Sequence, residues 1–222
     1  GAGAMLFDLD GVIAAVSRSY RAAIRGTAEA FGVVIEEDAI DAIKAEGDAN
    51  DDWALTRMLI ERQGIKVDSD AVTREFQRRY LGAVDRPGLR DLESLLVDRT
   101  FLGRLRDRMP IGLVTGRPRA EAIWFLDRYG LTERFEVVVA REDAPLKPSP
   151  RGIRSAMETM GIERAWFIGD TVDDVVAARA AGLVPVGVSR DDSGDSILFK
   201  AGAARVVRPG RAMQRFIEGG TA

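Results

Sequence analysis

From residue 111 onward the chain alternates short apolar runs with stretches of helical periodicity, and that alternation leaves few folds open. The runs are Ile111–Val114, Val137–Val139, 165–168, Val184–Val188 and Arg205–Val207. Helical stretches lie around 89–108, 119–129, 151–160, 173–181 and 211–218. Runs that are apolar throughout are buried on both faces, the pattern of a parallel sheet covered by helices on either side. Met5, Leu6, Phe7 and Leu9 supply one more strand at the start of the chain. The expected fold class is α/β, with a Rossmann-like parallel sheet as its core. At 222 residues and 46% apolar content the chain can bury a sizeable core.

Residues 16–83 read differently. Tyr20, Ile24, Thr27 and Phe31 fall on one helical face, and Val72, Phe76 and Tyr80 on another, with no convincing strand between them. Breaks near Gly32, at 46–51 and at 64–70 divide the segment into about four short helices, a bundle inserted after the first strand. Arg86-Pro87-Gly88 marks the return. The expected organisation is a core of residues 5–15 and 86–222 and a helical insert of 16–85, with Gly-Ala-Gly-Ala at 1–4 read as an appended tail.

Four strands of the core end in polar clusters. Asp8 and Asp10 follow the first strand, and on a strand they would point to one side. Thr115-Gly116-Arg117 follows Ile111–Val114, Lys147-Pro148 lies past Val137–Val139, and Gly169-Asp170 follows 165–168. Ligands of such sheets bind beyond the carboxyl ends of the strands, so the clusters are expected to meet at one rim. Taken singly, each has a plain structural explanation. Asp8 and Asp10 suit a turn, Thr115 a helix N-cap, and Lys147 a solvated loop; Asp170, Asp173 and Asp174 suit the start of a helix.

The sequence contains neither histidine nor cysteine, which removes Ser-His-Asp and Cys-His triads, zinc clusters and disulfides together. Clustered carboxylates without soft ligands favour a hard cation, Mg2+ above all. Phosphoryl transfer uses this inventory. Asp8 is the candidate nucleophile, giving an aspartyl phosphate, and Asp10 the candidate acid and base. The Thr115 hydroxyl, the backbone amides of Gly116 and Arg117 opening the next helix, and the Lys147 ammonium are candidates for binding phosphate. Asp170, Asp173 and Asp174 repel one another without a cation, which points to a metal site with Asp170 as direct ligand.

In order and spacing these motifs resemble the four signatures of the haloacid dehalogenase superfamily of phosphotransferases, here DLDGV, LVTGR, LKPSP and IGDTVDD. The resemblance covers the whole chain and implies that the insert is a small helical cap of the subfamily I kind. It implies that Asp8 is nucleophile and, with the backbone carbonyl of Asp10, magnesium ligand. It gives Thr115 the hydroxyl role, Lys147 the lysine role, and Asp170 with Asp174 the acidic metal roles, with Asp173 a layer further out or the last two exchanged. The cap segment Lys44-Ala45-Glu46-Gly47-Asp48-Ala49-Asn50-Asp51-Asp52-Trp53 with Leu55-Thr56, together with GDTVDD, resembles a subgroup associated with histidine-biosynthesis enzymes. Histidinol phosphate is then one expected substrate, and phosphoglycolate is an equal alternative.

Substrate specificity is expected at Glu46, Asp51, Asp52 and Trp53, where the acidic groups suit an ammonium or hydroxyls and Trp53 suits a ring or cation. The structural alternative has Asp51 or Asp52 capping a helix and Trp53 in the bundle core. Asp10 argues against a dehalogenase. A sugar phosphomutase shares both aspartates, a phosphonate hydrolase would need Lys44 or Lys66 as Schiff base, and a non-catalytic binding module is the alternative from another class. A formal charge of −3 from 32 basic and 35 acidic residues gives no case for nucleic acid or an anionic membrane. No apolar run reaches transmembrane length and the start lacks a signal-peptide pattern. The expectation is a cytoplasmic protein, monomer or homodimer, whose partner is a small-molecule phosphate ester.

Overall fold

Burial of the first apolar run is complete: Ala4, Met5, Leu6 and Phe7 are all inaccessible and form strand β1 (Ala4–Phe7). The structure, a computed structural model, describes residues 3–46 and 51–220. The remaining core strands are β2 (Ile111–Val114), β3 (Val137–Val139), β4 (Ala165–Gly169), β5 (Val184–Val188) and β6 (Arg205–Val207). They form a six-stranded sheet in the order β6-β5-β4-β1-β2-β3, and the pairings are parallel. β1 pairs with β2 through Phe7 opposite Leu113 and with β4 through Phe7 opposite Ile168. The chain thus builds outward from β1 on one side, then crosses it and builds outward on the other. The crevice at such a reversal lies at the carboxyl ends of β1, β2 and β4.

Helices cover the sheet because their apolar stripes have no other partner. Leu6, Val114, Val139, Ile153, Phe167, Ala177 and Leu183 belong to one buried cluster, in which each large side chain contributes about 1.5–3 kcal/mol relative to exposure. The core helices are α5 (Arg99–Arg106), α6 (Arg119–Tyr129), α7 (Arg151–Met160), α8 (Val172–Ala180), α9 (Asp192–Ala201) and α10 (Arg211–Gly220), numbered after the four helices of the insert described below.

The insert contains α1 (Tyr20–Ala30), α2 (Glu37–Glu46), α3 (Asp52–Arg62) and α4 (Ser69–Leu81) around a core of its own. Tyr20, Phe76 and Tyr80 cluster there, with the two tyrosine rings 4.6 Å apart. Glu93, itself buried, accepts hydrogen bonds from Ser19 Oγ (2.7 Å) and Tyr80 Oη (3.1 Å). The beginning and end of the insert are thereby tied to each other. In the core, Leu96 N–H donates to Ile13 O at 2.8 Å and ties the corresponding ends on that side.

Several expectations are corrected. The chain divides into compact units of Gly1–Ala14 with Leu95–Ala222, and Ala15–Ser94, so the return falls beyond Arg86. The cause is Leu89, which packs against the helical cluster of the insert. The stretch 89–108 is not one helix: a 3-10 turn at Leu89–Leu92 stops at Glu93, and α5 starts anew where Asp98 accepts from Thr100 N–H at 2.7 Å. Gly82–Ala83 and Arg86–Pro87 pair as a short antiparallel hairpin that helical periodicity does not reveal. Ala4, read with the appended tail, pairs with Ala165 in the sheet.

Candidate active site

The carboxyl end of β1 is held in place by the neighbouring strand, since Asp8 N–H donates to Ile168 O at 2.8 Å. The chain then turns sharply: Ile13 and Ala14 N–H both reach back to Leu9 O, and Gly11 adopts φ +72°. Asp8 is buried and Asp10 partly exposed, so the pair share a rim but not an environment.

Lys147 crosses to Asp8 from the loop beyond β3. Its Nζ lies 2.8 Å from Asp8 Oδ1 and 2.5 Å from Asp174 Oδ1, and it donates to Val114 O at 3.2 Å. The ammonium also lies 5.3 Å from the centre of the Phe167 ring. The Lys147-Pro148 peptide is cis. Lys147 is therefore no solvated loop lysine. Burial opposes its charge, but the carboxylates of Asp174 and Asp8 outweigh that and hold its ammonium above the ordinary lysine range. Burial pushes the Asp8 carboxyl up to about 7, with the charges of Asp174 and Asp10 adding and Lys147 opposing. The pocket holds more negative charge than its lysine balances.

Asp174 is positioned by the start of α8. Its Oδ2 accepts from Asp170 N–H (3.1 Å), Thr171 N–H (3.0 Å) and Thr171 Oγ (2.8 Å), while Thr171 Oγ accepts from Asp174 N–H at 3.2 Å. This reciprocal cap satisfies amides that α8 cannot. It requires Gly169, because a Cβ there would come 2.3 Å from Asp174 Cβ. Carboxylate oxygens of Asp8, Asp170 and Asp174 lie within 4.8 Å of one another. Asp173 is buried beside them but is not part of that group. Three hard oxygen donors in a pocket with surplus negative charge fit a divalent cation such as magnesium.

The Thr115 loop departs from expectation. Helix α6 opens at Arg119, not at Gly116 or Arg117, and Arg117 N–H donates to the Thr115 hydroxyl at 3.2 Å. The Arg117 side chain was missed in sequence. It is buried, and its Nε and Nη2 both donate to Asp10 Oδ1, at 2.8 and 2.5 Å. A one-dimensional reading gives no sign that an arginine in a Gly-Arg-Pro turn points inward.

The cap residues have local duties. Asp51 caps α3, accepting from the amides of Trp53 and Ala54 at 3.1 Å each. Asp52 lies 3.1 Å from Lys44 Nζ, and Trp53 packs against the helical cluster. The Glu46 side chain and residues 47–50 lie outside what is described.

Residues 3–182 match the model of the haloacid dehalogenase-like hydrolases, and the chain belongs to that family. It is 31% identical over 203 residues to the phosphoglycolate phosphatase of Shigella dysenteriae, covering 82% of this chain and 79% of that protein. It is 44% identical over 194 residues to a protein of Phytophthora nicotianae named imidazoleglycerol-phosphate dehydratase, covering 83% of this chain but only 43% of the relative. Among solved structures, phosphatase Tt82 from Thermococcus thioreducens superposes with a TM-score of 0.71 at 26% identity, covering 98% of both chains. The class this membership defines is that of the hydrolases, and the relatives from Shigella dysenteriae and Thermococcus thioreducens are named phosphatases.

Proposed function

We infer that this chain hydrolyses the phosphate monoester of a small molecule, with magnesium, through an aspartyl phosphate on Asp8. The observation that carries the reading is the buried contact of Lys147 with Asp8 and Asp174 at the meeting point of the strand ends. An Asp8 oxygen attacks phosphorus; the Asp8–phosphorus bond forms as the bond to the ester oxygen breaks, and that oxygen leaves with its electron pair and a proton from Asp10. Asp10, now a carboxylate, takes a proton from water as the water oxygen attacks phosphorus, and the Asp8–phosphorus bond breaks to release phosphate. Lys147 and the Thr115 hydroxyl bind phosphate oxygens. Asp8, Asp170, Asp174 and the Asp10 carbonyl would hold magnesium, which when bound offsets the repulsion between Asp8 and an anionic phosphate.

For the substrate, the 44% identity to a protein whose name includes an imidazole-bearing phosphate favours histidinol phosphate, also an imidazole-bearing monoester. The phosphoglycolate phosphatase relative supports phosphoglycolate as the second choice. The near-balanced charge supports a small soluble ester over nucleic acid or a membrane surface, and we carry forward a cytoplasmic monomer or homodimer. No described helix is long and apolar enough to cross a membrane.

The test is phosphate release with magnesium from histidinol phosphate, phosphoglycolate, a sugar 1-phosphate and p-nitrophenyl phosphate. Histidinol phosphate should give the highest kcat/KM, and Asp8→Asn should abolish turnover in a folded protein. Conversion of the sugar 1-phosphate without phosphate release would make the chain a phosphomutase. Near-normal hydrolysis by Asp8→Asn would overturn the mechanism.

A further inference from the structure

Arg117 is the largest fully buried side chain in the described structure, and it lies in a loop, where a long cation ordinarily reaches solvent. Withdrawing a guanidinium from water costs several kcal/mol unless it is paired in good geometry. One partner of Arg117 is Asp10, whose side chain is 29% exposed and could be hydrated without help. The arginine is therefore not there to rescue a buried carboxylate.

Three further contacts fix where the guanidinium stands. Arg117 N–H donates to the Thr115 hydroxyl at 3.2 Å, Arg117 O accepts from Arg141 N–H at 2.9 Å, and its guanidinium carbon lies 5.4 Å from the centre of the Phe125 ring. The backbone is anchored at both sides and the planar head rests on an aromatic face. Nε and Nη2 converge on Oδ1 of Asp10. Oδ2 takes neither bond.

We propose that Arg117 is a positioning residue for Asp10, locking its carboxyl by Oδ1 so that Oδ2 delivers the proton to the leaving alkoxide. The inference rests on the proposed acid role of Asp10. A proton donor is effective only if it meets the leaving oxygen as the bond breaks, and a side chain free to swing loses that alignment. Leaving groups differ in how much they need it. An alkyl alkoxide departs poorly without a proton, whereas p-nitrophenolate departs unaided.

The experiment measures kcat/KM on an alkyl phosphate and on p-nitrophenyl phosphate for wild type, Arg117→Lys, Arg117→Met and Asp10→Asn, all with magnesium. The ratio of the two values is taken on one sample, so it is independent of the fraction folded. For Asp10→Asn the alkyl substrate should lose about 10²- to 10⁴-fold, the range for removing a general acid, and the aryl substrate much less. Arg117→Met should move the ratio in the same direction by about 10-fold or more, with Arg117→Lys between it and wild type. If Asp10→Asn moves the ratio and neither Arg117 variant does, Arg117 is only structural and the inference is wrong. If Asp10→Asn leaves the ratio unchanged, Asp10 is not the acid, and the mechanism and this inference fall together.

Discussion

Gly11 and Asp170 are so close that a β-carbon on residue 11 would lie 1.9 Å from Asp170 Oδ2. The turn after β1 and the start of α8 are therefore fitted to one another, and Gly11 is required twice, by this approach and by its φ of +72°. Gly11→Ala should displace the Asp170 carboxylate and cost about 1–3 kcal/mol from backbone strain. The expected result is magnesium affinity lowered by about 10-fold or more. Titration of the metal into wild type and variant by calorimetry checks it; unchanged affinity would remove Asp170 from the metal site.

Asp8 gives a pH dependence whose sign is fixed. Burial raises its carboxyl to about 7 in the metal-free protein, whereas the unfolded chain has an ordinary aspartate. Between the ordinary aspartate range and pH 7 the native state holds a proton that the unfolded state has lost, so this group's contribution to stability falls as pH rises through that window. A divalent cation favours the ionised form. Magnesium binding should accordingly release protons at pH 6 and fewer at pH 8, read as a buffer-dependent binding enthalpy. Equal release at both pH values would contradict the raised Asp8.

Glu93 should matter to the helical insert alone. Its Oε1 is shared by Ser19 and Tyr80, and removing it takes a buried acceptor from both donors. Glu93→Ala should destabilise the insert by about 2–5 kcal/mol, while Glu93→Gln, which keeps an acceptor, should cost less. Urea unfolding monitored by the tyrosine signals of the insert provides the measurement.

Asp51→Ala should cost about 1 kcal/mol by uncapping α3. Comparing kcat/KM on the best substrate and on p-nitrophenyl phosphate separates capping from recognition. Equal changes on both assign Asp51 to structure; a loss on the natural substrate alone returns it to specificity.

The strands and their polar ends were legible because each end couples an apolar run to turn chemistry within a few residues, as at Val114-Thr115-Gly116 and Ile168-Gly169-Asp170. What stayed hidden depends on contacts far apart in sequence. Asp10 and Arg117 are joined by the fold, and nothing near Arg117 shows that Phe125 will receive its guanidinium. Helix α9 escaped because its first half, Asp192-Ser193-Gly194-Asp195-Ser196, is polar and only Leu198 of the helix is buried. The continuous reading of 89–108 failed because Glu93 leaves the helical path to meet Ser19 and Tyr80, a demand set by partners outside the segment.

The bond from Leu96 to Ile13 and the bond from Ser19 to Glu93 close each unit on its own side of the two connections. Seen this way the insert is a cassette. A short turn joining residue 13 to residue 96 would leave every strand of the six-stranded sheet, helices α5 to α10 and every residue around Asp8 in the chain, as a minimal enzyme stripped of its inserted helices. By the same logic an unrelated helical module whose ends lie side by side could be spliced between those residues without rethreading the sheet. Diversification of such an enzyme can then proceed by exchange of whole modules while the chemistry is inherited unchanged.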